Sequence, residues 1–155
     1  ALKGISVITQ EDNRWKFKDI KTTSLLGSVL AKNEAIRKGA DDSWYTKDGF
    51  VTEGAASNAF IVNKEKVIKT HPLSSDILPG TTRSTVFEIA ELLDLTVKEE
   101  PFSVDEAIDS EEAFITGAGT LVIPVIRINQ SLIANGQPGK ITYAIREKYL
   151  SIALD

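Results

Sequence analysis

Cysteine is absent from the 155-residue chain, and histidine occurs once, at position 71. Without cysteine there is no disulfide, no thiolate zinc or iron–sulfur site, and no cysteine nucleophile. A single histidine excludes any multi-histidine metal site and leaves a Ser-His-Asp arrangement only one base to use. In Thr70-His71-Pro72 that histidine has no metal-ligating or catalytic companions, so it reads as a structural loop residue. Long apolar runs are missing too. Nothing approaches the ~18 residues that cross a bilayer, and the first residues, Ala1 to Val7, lack the apolar run of a secretory signal. A cytoplasmic protein without membrane contacts is the expectation. Positive charge is scarce: 18 Lys and Arg stand against 22 Asp and Glu, for a net charge of −4. Such a chain makes a poor nucleic-acid binder, because neutralising phosphates needs clustered positive charge.

What is present suits one globular domain over residues 1–155, with residues 1–10 as a linker and first strand. Hydrophobic residues make up 42% of the chain, and a domain of this length can bury roughly two-thirds of its unfolded surface. Residues 4–9 alternate and predict a strand. Residues 15–21 alternate as well, placing Trp15, Phe17, Asp19 and Lys21 on one face and Lys16, Lys18 and Ile20 on the other. The clearest helix is 23–38, with Leu25, Leu26, Val29, Leu30, Asn33 and Ile36 as its apolar stripe and Gly39 just past its end. Asp48-Gly49 between Trp44–Thr46 and Phe50–Thr52 signals a hairpin, and 59–62 with 66–69 makes a second around 63–65. A helix over 82–94 turns Val86, Ile89, Ala90 and Leu93 inward. A short strand at 95–99, a helical turn at 104–109, strands at 113–116 and 122–126, and a terminal helix over 139–152 complete the reading. Pro124 points to an edge or bulge. Helices mixed with hairpin-joined strands predict an α+β fold with a mixed, mainly antiparallel sheet.

Several segments could carry chemistry. Leu78-Pro79-Gly80-Thr81-Thr82-Arg83 opens a helix with a glycine, free N–H groups and threonine hydroxyls, which is either a phosphate cup or an ordinary helix start. Thr116-Gly117-Ala118-Gly119-Thr120 is either an anion nest or a tight turn requiring positive φ. It does not match the nucleotide P-loop pattern. Thr52-Glu53-Gly54-Ala55-Ala56-Ser57-Asn58 puts a carboxylate among small residues, either facing a protonated ring nitrogen or lying in solvent. Lys21 ends the alternating run before a helix. If partly dry, its amine has a lowered pKa and can form a Schiff base; otherwise it is one more solvated lysine.

The order of these pieces resembles the class IV, fold-type IV, pyridoxal-phosphate aminotransferases, and within them the D-amino acid branch. The resemblance is carried by Asp12-Asn13-Arg14-Trp15, Asp19-Ile20-Lys21, Leu25-Leu26-Gly27-Ser28-Val29-Leu30-Ala31-Lys32, Val51-Thr52-Glu53-Gly54, Ser57-Asn58, Leu78 to Arg83, and Pro124-Val125. It implies a large cofactor domain built as a pseudo-barrel flanked by helices, with pyridoxal 5'-phosphate as cofactor. Lys21 matches the lysine that holds the cofactor as a Schiff base and shuttles a proton to and from the substrate. Glu53 matches the carboxylate on the pyridine nitrogen, which keeps the ring an electron sink. Arg14 and Asp42 match a polar network behind Glu53. Gly80, Thr81 and Thr82 match the phosphate cup, Leu78 packs on the ring, and Ser57 lies near the cofactor.

The chain also departs from the family's pattern. Ala55 and Ala56 stand where the D-amino acid branch carries serines, and Gly117 and Ala118 where a Ser/Thr pair is usual in the second phosphate loop. Backbone N–H groups can still bind phosphate there. The family also carries a smaller N-terminal domain, which has no counterpart in these residues. The implied reaction moves an amino group from a D-amino acid to a 2-oxo acid, in a homodimer. Ser57, where branched-chain enzymes often have glutamate, favours the D-amino acid branch. A branched-chain aminotransferase, an aminodeoxychorismate lyase, or a non-catalytic ligand-binding module on the same scaffold are the alternatives.

Overall fold

The computed structural model of the protein describes residues 3–154. Ala1, Leu2 and Asp155, included in the expected domain 1–155, lie outside the described residues. The first strand, β1 (Ile5–Glu11), is followed by helix α1 (Leu26–Arg37) and the hairpin of β2 (Asp42–Lys47) and β3 (Phe50–Gly54). Asp48 and Gly49 take positive φ, 52° and 85°, at its two-residue turn. Both angles match the twist a tight hairpin needs, and Asp and Gly are residues that tolerate them. The next hairpin joins β4 (Asn58–Val62) to β5 (Ile68–Thr70). There the Asn63 side chain accepts the Val67 N–H at 2.9 Å, and Lys66 takes a φ of 63°. Then come α2 (Thr81–Leu92), β6 (Val97–Glu99), β7 (Phe102–Ser103), α3 (Val104–Ile108), β8 (Glu112–Gly117), β9 (Leu121–Ile128), β10 (Ser131–Leu132) and α4 (Lys140–Leu154).

Six strands close on themselves. The pairing runs β4-β8-β9-β1-β2-β3, and β3 returns to β4 with Glu53 opposite Asn58. Beyond this barrel, β5 and β6 extend from β4, β7 lies beside β3, and β10 beside β9. The β1–β2, β1–β9 and β5–β6 pairs are parallel and the others antiparallel, so the expected mixed, mainly antiparallel sheet is what forms. Strand β4 shows how the sequence encodes it. All five of its residues are buried. Ala59 and Ile61 join Val7, Trp44, Val51, Ile115 and Val125 in one core. Phe60 and Val62 join Val86, Ile89 and Ala90 of α2 and Ile145 of α4 in the other. Phe60 stacks on Phe114 across the strands at 4.7 Å. A strand covered on both faces reads as an unbroken apolar run.

Glu112, at the start of β8, caps α4 from outside. It accepts the N–H groups of Ile141 (3.0 Å) and Thr142 (2.8 Å) and the Thr142 hydroxyl (2.8 Å). These are orphan donors of a helix start, and a carboxylate also suits its positive end. Gly139 is required because a Cβ there would collide with the Glu112 side chain.

Two expectations need correction, and a third is resolved. Residues 15–21 form no strand: the chain leaves the barrel at Glu11 and continues in bends and turns to Thr23. Among the described residues no strand pairs with that stretch. The apolar stripe of α1 is not its buried face. Leu25, Leu26, Val29, Leu30 and Ile36 are exposed, Leu26 by 70%, while the helix buries Ala31 and Ala35. Small residues let the helix lie close to β2, and Gln10 secures it by donating to the Ala31 carbonyl at 2.9 Å. Of the edge or bulge that Pro124 predicts, the bulge is what forms, since β9 lies between β8 and β1 and its ladder to β1 skips a residue after Val125. It stands opposite Phe114, just before β1 joins with Ile5 opposite Val125, next to a register shift between Ile5 and Ser6.

Candidate functional site

Glu53 lies near the end of β3, on the side of the strand that carries Val51 into the core. Its carboxylate is buried at the end of the barrel. Oε1 accepts from Arg14 Nη1 at 2.9 Å. Oε2 accepts the Leu78 N–H at 2.9 Å and, more weakly, Asn58 Nδ2 at 3.4 Å. Burial pushes the Glu53 carboxyl up to about 7, against the pull of the Arg14 charge and the Leu78 N–H. The Arg14 guanidinium carbon lies over the Tyr45 ring, 3.9 Å from its centroid. Asp12 grips it through both oxygens: Oδ1 accepts from Nε at 2.9 Å and Oδ2 from Nη2 at 2.8 Å. Burial raises the Asp12 carboxyl, but the hydrogen bonds and charge of Arg14, helped by Lys18, outweigh this and hold it below the usual carboxylate range.

The N-terminus of α2 lies beside this carboxylate. Asn58 Nδ2 donates to the Leu78 carbonyl at 2.8 Å, and a Cβ on Gly80 would collide with Asn58 Oδ1. Gly80 occupies the N-cap without a side-chain cap. The first helical bond runs from Ser84 N–H to the Gly80 carbonyl at 3.1 Å, so the N–H groups of Thr81, Thr82 and Arg83 precede the ladder. Such donors, aligned with the helix dipole, attract an anion. A second approach comes from the barrel. Gly117, at the end of β8, leaves room where a Cβ would meet the Ala56 carbonyl at 3.2 Å, and Gly54 does the same for Ser57. Three hydroxyls buried in these segments, on Ser57, Thr82 and Thr116, have no hydrogen-bond partner among the described residues. Buried polar groups are nearly always paired, so these three hydroxyls keep bonding capacity that a polar ligand could use.

Arg14, Glu53, Ser57, Leu78, Gly80, Thr81, Thr82 and Gly117 thus belong to segments that meet at one end of the barrel. Leu78 contributes its backbone. Ala118 is exposed at the loop tip. The glycines of that loop do not take positive φ; Leu121 does, at 58°. Asp42 is not part of the network. Its Oδ1 accepts the Ser43 N–H at 2.9 Å, and Asp12 is the acid that holds Arg14. Lys21 departs most from expectation. It is exposed, not dry, because the stretch that carries it runs in bends and turns outside the barrel. The neighbouring Asp19 shares a cleft of about 320 Å³ with Leu73, Ser74, Ile77 and Pro79, which places the loop next to the Leu78 segment. Sequence reasoning missed the roles of Asp12, Asn58 and Thr116. Only Asp12 left a local signal, since an aspartate two residues before an arginine can accept its N–H, here at 3.1 Å.

The family profile described as amino-transferase class IV matches residues 2–128. The chain belongs to the class IV aminotransferases. Among members of this class, it is 40% identical over 139 residues to a D-alanine aminotransferase of Bacillus licheniformis, covering 90% of this chain and 49% of that protein. It is 38% identical to a D-alanine aminotransferase of Staphylococcus aureus, over 94% of this chain and 51% of the other. The chain therefore spans about half the length of the curated relatives it matches. The fold superposes on the branched-chain amino acid aminotransferase of Escherichia coli with a TM-score of 0.88 at 26% identity, over 98% of this chain and 52% of that one. A T.th. branched-chain amino acid aminotransferase, solved in complex with N-(5'-phosphopyridoxyl)-L-glutamate, gives 0.86 at 32% identity, over 96% of this chain and 51% of that one. The pseudo-barrel expected of a fold-type IV cofactor domain is the fold observed. Among the described residues no helix is long and apolar enough to cross a membrane.

Proposed function

We propose that this chain is the cofactor-holding half of a pyridoxal-phosphate-dependent aminotransferase that moves an amino group between a D-amino acid and a 2-oxo acid. One observation carries the reading: a buried carboxylate, Glu53, accepts the Leu78 N–H just before an uncapped helix start, and the adjoining segments carry three buried hydroxyls with no partner among the described residues. These residues fit the cofactor. The N–H groups opening α2, with the Thr82 hydroxyl, would hold its phosphate, aided by Ser57 and the backbone at Gly117 and Ala118. Glu53 would face the pyridine nitrogen and share its proton. A carboxyl lifted to about 7 ionises readily once a cationic ring nitrogen stands opposite it. Arg14 fixes the direction of that carboxylate, and Asp12 fixes Arg14. When bound, the cofactor supplies an electron sink for the substrate α-carbon. Lys21 would provide the amine for the aldehyde and for proton transfer at that carbon.

Identity of 40% to a D-alanine aminotransferase supports the D-amino acid reading. The close superposition on branched-chain enzymes supports the second, an L-branched-chain substrate. Half-reactions with D-alanine and L-leucine separate them. Faster turnover of D-alanine is expected, and turnover of L-leucine alone would overturn the reading. Borohydride reduction after mixing with pyridoxal phosphate should label Lys21, and the label should vanish in Lys21→Ala. We further propose a cytoplasmic homodimer, supported by the uncovered apolar face of α1. Contiguous exposed apolar surface marks an interaction site.

A further inference from the structure

Lys18 is a buried lysine with a role the sequence did not suggest. Its side chain is 6% exposed and lies between two carboxylates from different segments, with Nζ 3.3 Å from Asp12 Oδ2 and 3.1 Å from Asp76 Oδ1. Its backbone N–H donates to the Ser75 carbonyl at 3.0 Å. Lysine is almost never buried without such pairing, since its ammonium gives up strong hydration. The contacts close a ring. Lys18 holds Asp12, Asp12 holds Arg14, Arg14 holds Glu53, and Glu53 accepts the Leu78 N–H. Leu78 is two residues along the backbone from Asp76, which returns to Lys18.

We propose that Lys18 is a positioning residue for Lys21, its buried ammonium locking the loop that carries Lys21 against the segment that carries Leu78 and the Gly80–Thr82 helix start. The proposal rests on the reading of Lys21 and Glu53 given above. Lys21 is three residues beyond Lys18, so its Cα stays within about 11 Å of the fixed point. Farther along, the first turn of α1 packs against Arg14: a Cβ on Gly27 would stand 2.9 Å from Arg14 Cγ. Lys21 is thus exposed on a span anchored at both ends to the cluster around Glu53. Lys47 adds a second cation on Asp76, 2.9 Å from each oxygen, which keeps that carboxylate ionised for Lys18.

The test compares the chain with Lys18→Met, Lys18→Arg and Asp76→Asn. Each protein is mixed with pyridoxal phosphate, reduced with borohydride, and mapped for labelled lysines by mass spectrometry, well below its melting temperature. In the wild type, label should concentrate at Lys21. In Lys18→Met, labelling of Lys21 should slow by about 10-fold or more relative to the other lysines, because small misplacements of a reacting group cost this much. Lys18→Arg keeps the charge and should recover most of it. Asp76→Asn weakens the same clasp from the other side, should shift the label the same way, and serves if Lys18→Met does not fold. An unchanged share of label at Lys21 in the folded variants overturns the proposal. So does an equal loss in the Met and Arg variants that merely follows their melting temperatures. A wild type with no label at Lys21 overturns the underlying reading, and this proposal with it.

Discussion

Arg14 Nη1 lies 2.9 Å from Glu53 Oε1, joining a loop outside the barrel to a carboxylate buried in its mouth. Neither side chain is more than 14% exposed, so the pair has little water to fall back on. Breaking such a pair by removing one partner leaves an unpaired charge in the interior. Arg14→Met should therefore lower stability by about 3 kcal/mol at pH 8. The loss should be smaller at pH 5, where Glu53 can take up a proton. Urea denaturation at both pH values checks this, and equal losses at the two would contradict it.

Glu53 also makes stability depend on pH in a definite direction. Its folded value, about 7, lies above the ordinary 4.5, so the folded protein holds a proton that the unfolded chain has released. The contribution of this group is fully present below about 4.5 and is lost as pH rises to about 7. The full span is worth at most about 3 kcal/mol. Relative to the wild type, Glu53→Gln, which cannot ionise, should gain stability as pH rises from 5 to 8. A gap that stays constant would show that Glu53 is ionised throughout.

Thr82 separates a ligand contact from a structural one. Its hydroxyl is buried with no partner among the described residues, a cost to the unliganded fold. Thr82→Val should leave thermal stability unchanged or slightly raised. The same change should weaken pyridoxal phosphate binding by about 10-fold or more, the worth of one hydrogen bond to a charged group. Isothermal titration and a thermal melt on the same samples read both. Lower stability with intact binding would place the hydroxyl in the scaffold.

The exposed leucines of α1 should matter to assembly and little to the fold. Leu26 and Leu30, 70% and 59% exposed, contribute little to the core of a single chain. Leu26→Glu with Leu30→Glu should give a folded protein with an unchanged circular dichroism spectrum. In sedimentation it should run as a single chain where the wild type runs as a pair. Identical sedimentation of the two would remove this face from the interface.

Glu112 offers a test of the scaffold alone. It supplies the cap for the Ile141 and Thr142 N–H groups from a strand 29 residues earlier in the chain. Glu112→Ala should cost about 1–2 kcal/mol, the usual worth of a lost cap. Fraying should be confined to the first turn of α4 in hydrogen exchange.

Turns, caps and helix faces set by near neighbours were legible in the sequence, although the Asp12–Arg14 pair, two residues apart, was not. The Asp48-Gly49 turn, the inward face of α2 at Val86, Ile89 and Ala90, and the helical turn at α3, held by the capping box of Ser103 with Glu106, all depend on neighbours within a few positions. The stripe of α1 was legible as a stripe but not as an outside. Periodicity shows that Leu26, Val29 and Leu30 share a face; it says nothing about which face meets the sheet. Alternation at Trp15 and Phe17 misled for a similar reason, since a strand forms only where another strand pairs with it, and among the described residues none does so there.

The sequence by itself determined the family, the mixture of strands and helices, and the chemical types gathered at the site, because those follow from local pattern and from motifs in order. Only the tertiary structure decided that Asp12 rather than Asp42 holds Arg14, that Lys18 is buried between Asp12 and Asp76, and that Lys21 is open to water. Those outcomes turn on charges brought together from positions 12, 14, 18, 53 and 76. The energy of placing each one depends on burial and partners that exist only once the barrel has closed.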